Sequence, residues 1–282
     1  MRKKLLTKAI VLSVLSSSLL LPGNSYANTS EINGDVLTTD AVYASIIEEA
    51  SETDLEVMKS EIKAQLEANR SGSSDNFEEL SKYLEQGDIE FIYSIIELKK
   101  ENSQLSPEEI VEIVFPMQSK AQTFSGIQLQ ASSESNTGWS ALTTAEKWLV
   151  ALYPAEALIV NAAKNNTDAI TIARYPGWKD GDKGNAFRHA LWNAIMTLNI
   201  GRVLAESFGT AHEKVDATDA ELSQLNWNGF NGIQHRAMDL HNNQKGRDTV
   251  NWYDVPFFVS NTDLANRVQT KINNNEMIIL VK

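Results

Sequence analysis

The sequence predicts a mainly α protein, with an acidic helical N-terminal module and a C-terminal multi-helix domain carrying at most a short terminal strand. Three observations predict it. Apolar residues recur at spacings of three and four through most of the chain, the period of one helix face. Ser106-Pro107-Glu108-Glu109 and Thr143-Thr144-Ala145-Glu146 read as capping boxes, in which side chains satisfy the amides that a first helical turn leaves open. Charge is divided unevenly: residues 28–138 hold 22 acids and 7 bases, whereas residues 139–282 hold 15 and 14. That asymmetry, with the length of 282 residues, suggests two units.

In chain order, Arg2, Lys3, Lys4 and Lys8 flank a mostly apolar run at 9–21, and Ser25-Tyr26-Ala27 offers small residues for cleavage. This is the pattern of a signal peptide over residues 1–27. The run is too short, and too broken by serines, Pro22 and Gly23, to remain as a membrane span. The expectation is a secreted chain of 255 residues with no membrane span after signal removal. The absence of cysteine excludes disulfides, thiolate catalysis and a lipidated cysteine. The acidic balance argues against nucleic acid as a partner, because phosphates repel it, and suits a basic protein partner for the front module.

The acidic module is assigned to residues 28–130. Val42, Ile46, Leu55, Met58, Ile62 and Leu66 share a helical face, and 69–76 is a polar break. Phe77, Leu80 and Leu84 form a second pattern stopping at Gly87; Ile89, Ile92, Ile95, Ile96 and Leu98 form a third. Ile110, Val111, Ile113 and Val114 follow the Ser106 cap and meet Pro116. Residues 131–138 (ASSESNTG) bury almost nothing and read as a linker.

The C-terminal domain is assigned to residues 139–282. Trp148, Leu149 and Leu152 follow the Thr143 cap, and 155–173 reads as one helix ending at Tyr175-Pro176-Gly177. The loop 179–185 carries two aspartates; lacking the later glutamate of a calcium loop, it is read as a turn with Asn185 capping the next helix. Thr262 to Ile272 suits a last helix, and 277–281 a short strand or extended tail. The aromatic run Trp252-Tyr253-Asp254-Val255-Pro256-Phe257-Phe258 could cover the site, and by default is expected to finish the core.

All four histidines, His189, His212, His235 and His241, lie within residues 185–247. His189 and Asn193 are four apart on one helix face, with Trp192 beside them. A lone histidine on a buried helix is most often a hydrogen-bonded core residue. Thr210 and Glu213 are spaced for a capping box at a helix start, which would leave His212 at the positive helix end and neutral. His235, Asp239, Asn242 and Asn243 share a helix side; Gly246 suits a C-terminal cap, and Arg247 could hold a carboxylate or phosphate.

The strings AFRHALWNA, TAHE and MDLHNNQKGR resemble the signature of a bacterial domain family of unknown function found in secreted and toxin-associated proteins, (D/N)AFRHAxW, then AHE, then MDLxNNxxGR. The resemblance covers roughly residues 139–267. It marks Arg188, His189, Trp192, His212, Glu213, Asp239, Asn242, Asn243, Gly246 and Arg247. Asn185 stands where the pattern usually has aspartate, the spacer 215–233 is longer than usual, and His241 fills the variable position.

The leading functional expectation is a hydrolase. Its catalytic set is His189, His212, Glu213, Asp239 and Asn243; Arg188, Trp192, Asn242 and Arg247 bind substrate. One divalent metal on His189, His212 and Asp239 is the cofactor this chemistry would accept. Without a metal, a histidine oriented by Asp239 would act as general base. The alternatives are a secreted interaction protein in which the His/Asp/Asn network is a structural polar core, and a toxin-like effector with an N-terminal delivery or inhibitory segment. No HExxH spacing and no serine elbow is present.

Overall fold

The computed structural model describes residues 52–68, 77–115 and 138–282. The expected leader, Val42, Ile46, the polar break at 69–76, Pro116 and residues 131–137 of the linker lie outside the described residues. The described chain is mainly α. Its front helices are α1 (Glu52–Ala68), α2 (Phe77–Ser81), α3 (Gln86–Glu101) and α4 (Pro107–Val114). A short 3-10 turn (Trp139–Ala141) leads into α5 (Thr144–Leu152), α6 (Pro154–Arg174), α7 (Lys183–Ile200) and α8 (Arg202–Glu213). Then come α9 (Asp219–Gln224), a hairpin of β1 (Asn226–Trp227) and β2 (Phe230–Asn231), α10 (Gly232–Arg247) and α11 (Asn261–Asn273). None of the described helices is long and apolar enough to cross a membrane.

Everything that positions the site is arranged around α7. All of its residues except Lys183 and Arg188 are buried, so this helix is wrapped rather than laid on a surface. Helices α6, α8, α10 and α11 cover it. Phe187, Leu191, Ile195 and Met196 are fully enclosed, each worth about 1.5–3 kcal/mol in removed apolar surface. Glycines set two of its contacts. A Cβ on Gly209 of α8 would fall 2.7 Å from the Asn193 side-chain oxygen, and one on Gly246 of α10 would fall 2.0 Å from the Ala190 carbonyl oxygen. Gly246 therefore lies inside α10 as a packing residue, not at its C-terminal cap, where Asp248 stands.

The cap ahead of α7 is Asp182, whose side chain accepts from the amides of Gly184 (2.7 Å) and Asn185 (3.0 Å). The cap expected of Asn185 thus falls three residues earlier; Asn185 instead accepts from the Gly181 amide. The boxes of Ser106 with Glu109 and Thr143 with Glu146 form as expected. Helix α2 ends at Ser81, before Leu84, and Gly87 lies in the first turn of α3 rather than ending a helix. The long spacer 215–233 holds α9 and the hairpin, whose turn residues Asn228 and Gly229 have φ of 53° and 89°. Left-handed geometry at both positions is what a tight hairpin demands and what Asn-Gly supplies.

Residues 277–281 form an extended tail without a strand, pinned between two elements. The Ile278 amide donates to Asn242 Oδ1 (3.0 Å), Asn242 Nδ2 donates back to the Ile278 carbonyl (2.9 Å), and the Leu280 and Val281 amides share the Gly181 carbonyl. The front helices share one apolar cluster with the rest: Ile62, Phe77, Leu80, Ile92 and Ile95 join Leu158 and Phe187 in it. Trp139 stacks on Phe91 (centroids 5.0 Å) and donates to Asp88 (3.0 Å), and Lys99 Nζ caps the end of α5 through the carbonyls of Ala151 and Leu152. The aromatic run does not finish the core. Trp252 is 95% exposed, Phe257 78% and Phe258 79%; only Val259 after them is buried. Arg267 holds Asp254 in the middle of this loop, so the loop is fixed while its rings face outward.

Candidate functional site

Three helices deliver one polar cluster. His189 comes from the middle of α7, Glu213 from the last residue of α8, and Asp239 from the middle of α10. His189 Nδ1 lies 3.2 Å from Glu213 Oε1, and His189 Nε2 lies 3.3 Å from Asp239 Oδ1. Their side chains are 5%, 9% and 14% exposed in that order, so Asp239 is nearest to solvent. Neither contact is aligned as a hydrogen bond: His189 Nδ1 and Asp239 Oδ1 are buried atoms without a hydrogen-bond partner. Arg188, half-buried above Trp178 (5.2 Å to the ring), places Nη2 3.2 Å from His189 Nε2.

The two carboxyls are driven apart. Burial works against ionised Glu213, but the adjoining His189, with His212 and the Asn243 amide, holds it down at about 2. Burial pushes the Asp239 carboxyl up to about 6; Glu213 adds to the rise, while His189 and Arg188 oppose it. Near neutral pH Glu213 is a fixed anion and Asp239 a group poised to change charge.

Behind the cluster runs a buried relay of amides. Asn243 Nδ2 donates to Glu213 Oε1 (3.0 Å), Asn193 Nδ2 donates to Asn243 Oδ1 (2.7 Å), and Arg247 Nη1 donates to Asn193 Oδ1 (2.7 Å). Asn193 and Asn243 are completely enclosed and Arg247 nearly so. This explains why two adjacent asparagines persist in α10 against their poor helix propensity: Asn243 holds Glu213, and Asn242 clips the tail.

Of the catalytic residues expected from the sequence, His189, Glu213, Asp239 and Asn243 come together. His212 belongs to a second pair. Its Nδ1 lies 2.9 Å from Glu146 Oε1, and its ring meets Trp192 edge-on at 5.0 Å. The expected metal set of His189, His212 and Asp239 is therefore replaced by His189, Glu213 and Asp239, the grouping whose donor atoms lie within 4.8 Å of one another. The box expected of Thr210 and Glu213 also fails, because both stand in the last turn of α8 rather than its first. Burial pulls the His212 imidazole down, but the hydrogen bond and charge of Glu146 raise it above its usual value overall, opposite to the neutral ring expected.

Of the expected substrate residues, Arg188 borders the cluster. Trp192 donates to the Val160 carbonyl (3.2 Å), Asn242 is spent on the tail, and Arg247 lies two amides behind Glu213. His235 reaches the Trp227 carbonyl and His241 the Glu276 carbonyl, so neither joins the cluster by a hydrogen bond. Sequence reasoning missed Glu146 as the partner of His212. Its capping role was visible, but one carboxylate serves both: Oε2 accepts from the Thr143 amide while Oε1 faces the ring.

The motif residues sit within a recognised stretch. Residues 147–276 match the family model described as Domain of unknown function (DUF6973). The match contains the whole cluster and its relay, but not Glu146, the partner of His212, and it agrees with the resemblance to an uncharacterised family. Comparison with curated proteins and with solved structures gives no match.

Proposed function

We propose that the DUF6973-matching region is a hydrolase that activates water at His189, Glu213 and Asp239. One observation carries this reading. Three side chains of acid–base type converge from three helices into a nearly closed site, and two of their buried polar atoms are left without hydrogen bonds. An unsatisfied buried polar group costs about 1–3 kcal/mol, and such groups cluster where chemistry needs them. Glu213 supplies a fixed negative charge beside the imidazole. Arg188 supplies a positive charge beside His189, placed to neutralise an oxyanion or a leaving group. The leader pattern of residues 1–27 supports an activity outside the cell.

The test uses the full chain, supplied with zinc or manganese, against chromogenic esters, phosphate esters, glycosides and peptides. Turnover that falls at least a hundredfold in Asp239→Asn and Glu213→Gln, and is kept in His241→Ala, supports the reading. Turnover of none of the four bond classes, or turnover kept in both site variants, overturns it. A second reading has its own observation: hydrogen bonds link Arg247 to Asn193, Asn193 to Asn243 and Asn243 to Glu213 in the interior, as in a polar core that fixes helix register. That reading expects the site variants to alter stability alone.

A further inference from the structure

We infer that His189, Glu213 and Asp239 bind one divalent first-row transition-metal cation. The inference shares its residues with the hydrolase reading but stands on their geometry. Each residue offers a ligand atom, and these atoms lie within 4.8 Å of one another. His189 presents Nδ1 to Glu213 Oε1 at 3.2 Å and Nε2 to Asp239 Oδ1 at 3.3 Å; an ion takes one of the two ring nitrogens, with that nitrogen's carboxylate as neighbouring ligand and the other carboxylate drawn in from within 4.8 Å. Metal–ligand bonds of about 2.0–2.2 Å set adjacent donors roughly 3 Å apart.

The second observation is independent of spacing. His189 Nδ1 and Asp239 Oδ1 are buried yet join no hydrogen bond, so two donors in the cluster are uncommitted. Their carriers cannot easily move to find partners. Gly209 and Gly246 bring α8 and α10 hard against α7, and Asn243 fixes the Glu213 carboxylate from behind. Outer-shell hydrogen bonds of this kind are what orient metal ligands.

Chemistry of the donors sets the class of ion. One imidazole with two carboxylates suits zinc, manganese or iron, whereas calcium and magnesium favour oxygen ligands alone. With the imidazole neutral, the form that binds a metal, two carboxylates beside one guanidinium leave the cluster net negative for a cation to neutralise. Arg188 is the group that yields: its Nη2 stands near His189 Nε2, and Asp168 Oδ1, 3.8 Å from its Nη1, offers the guanidinium another anion. Bound there, the ion would acidify a coordinated water.

The experiment is zinc and manganese titration of the full chain, purified without chelator and then stripped, followed by calorimetry and elemental mass spectrometry. One equivalent of zinc or manganese per chain is expected, with affinity at least a hundredfold weaker in His189→Ala and in the milder variants Glu213→Gln and Asp239→Asn. His241→Ala should bind as the parent does. Circular dichroism identifies any variant that fails to fold, and the two isosteric changes keep the test open if His189→Ala is one. No uptake at excess zinc, or equal uptake in folded Glu213→Gln and Asp239→Asn, overturns the inference. Stoichiometric metal without turnover would sink the hydrolase reading alone; turnover by stripped protein that takes up no metal would sink the metal alone.

Discussion

Gly246 lies so close to Ala190 that a methyl group in its place would sit 2.0 Å from the Ala190 carbonyl oxygen. No rotamer relieves that overlap, because the obstacle is backbone. The contact seats α10 against α7 and so carries Asp239 and Asn243 to the cluster. Gly246→Ala should lose about 3 kcal/mol or more, at the upper end of overpacking costs, in urea unfolding monitored by circular dichroism. A loss under about 0.5 kcal/mol, the size of ordinary surface changes, would mean that the helices are not seated this way.

Asp239→Asn should stabilise the metal-free protein. A carboxyl that titrates at about 6 when folded, above its usual 3.8, binds its proton more tightly in the native state. Its contribution is favourable below the unfolded value, is lost as pH rises between the two, and becomes a cost above the folded value. Two pH steps correspond to roughly 2–3 kcal/mol. In chelator at pH 7.5 the variant should gain on the order of 1–3 kcal/mol, and the gain should fade towards about pH 4. A variant less stable than the parent at pH 7.5 would refute this.

Asn193 and Arg247 should behave as a unit. Asn193→Ala strands Arg247 Nη1 and the Asn243 carbonyl oxygen together. Each single alanine change should cost roughly 2–4 kcal/mol, since buried donors lose their partners. The double variant should fall short of the sum by about 1 kcal/mol or more, as contacting residues do. Additive losses in a double-mutant cycle would deny the relay.

The ion pair of Asp254 with Arg267 makes an acid-dependent contribution. Chiefly its hydrogen bond with Arg267 holds the Asp254 carboxyl below its usual value. A depressed carboxyl adds stability above its unfolded value and loses it as pH falls through the folded one. Because Arg267 is one-third exposed, solvent screens the pair. Asp254→Asn should cost about 1 kcal/mol at pH 7, and the difference should shrink below about pH 3.5. A cost that is independent of pH would assign it to packing instead.

Local chemistry made much of the fold legible. The boxes at Ser106 and Thr143 span only four residues each, so sequence alone specifies them, and the hydrophobic period of residues 89–98 reports the face that α3 buries. The site was legible as residue types: three motifs, separated by loops of uncertain course, still named His189, Glu213, Asp239 and Asn243. Pairing was not. Glu146 and His212 stand 66 positions apart, and which histidine meets which carboxylate depends on how α5 and α8 pack. The direction of α8 past Thr210 was hidden for a related reason, because Thr-x-x-Glu reads as a box wherever it falls, including in a last turn. The aromatic run misled because hydrophobicity predicts burial only on average; Trp252→Ser should change stability by less than about 0.5 kcal/mol, as at other exposed positions.

The double hydrogen bond between Asn242 and Ile278 carries an implication for order of assembly. Helices α7 and α10 are translated before the segment that ties them, and the adjacent asparagine on the same helix holds Glu213. A nascent chain can therefore stack its helices and still lack the clasp beside the polar cluster. Residues 277–281 close the clasp last in chain order, and a change among them would be expected to surface as a defect in a cluster built from residues many positions upstream.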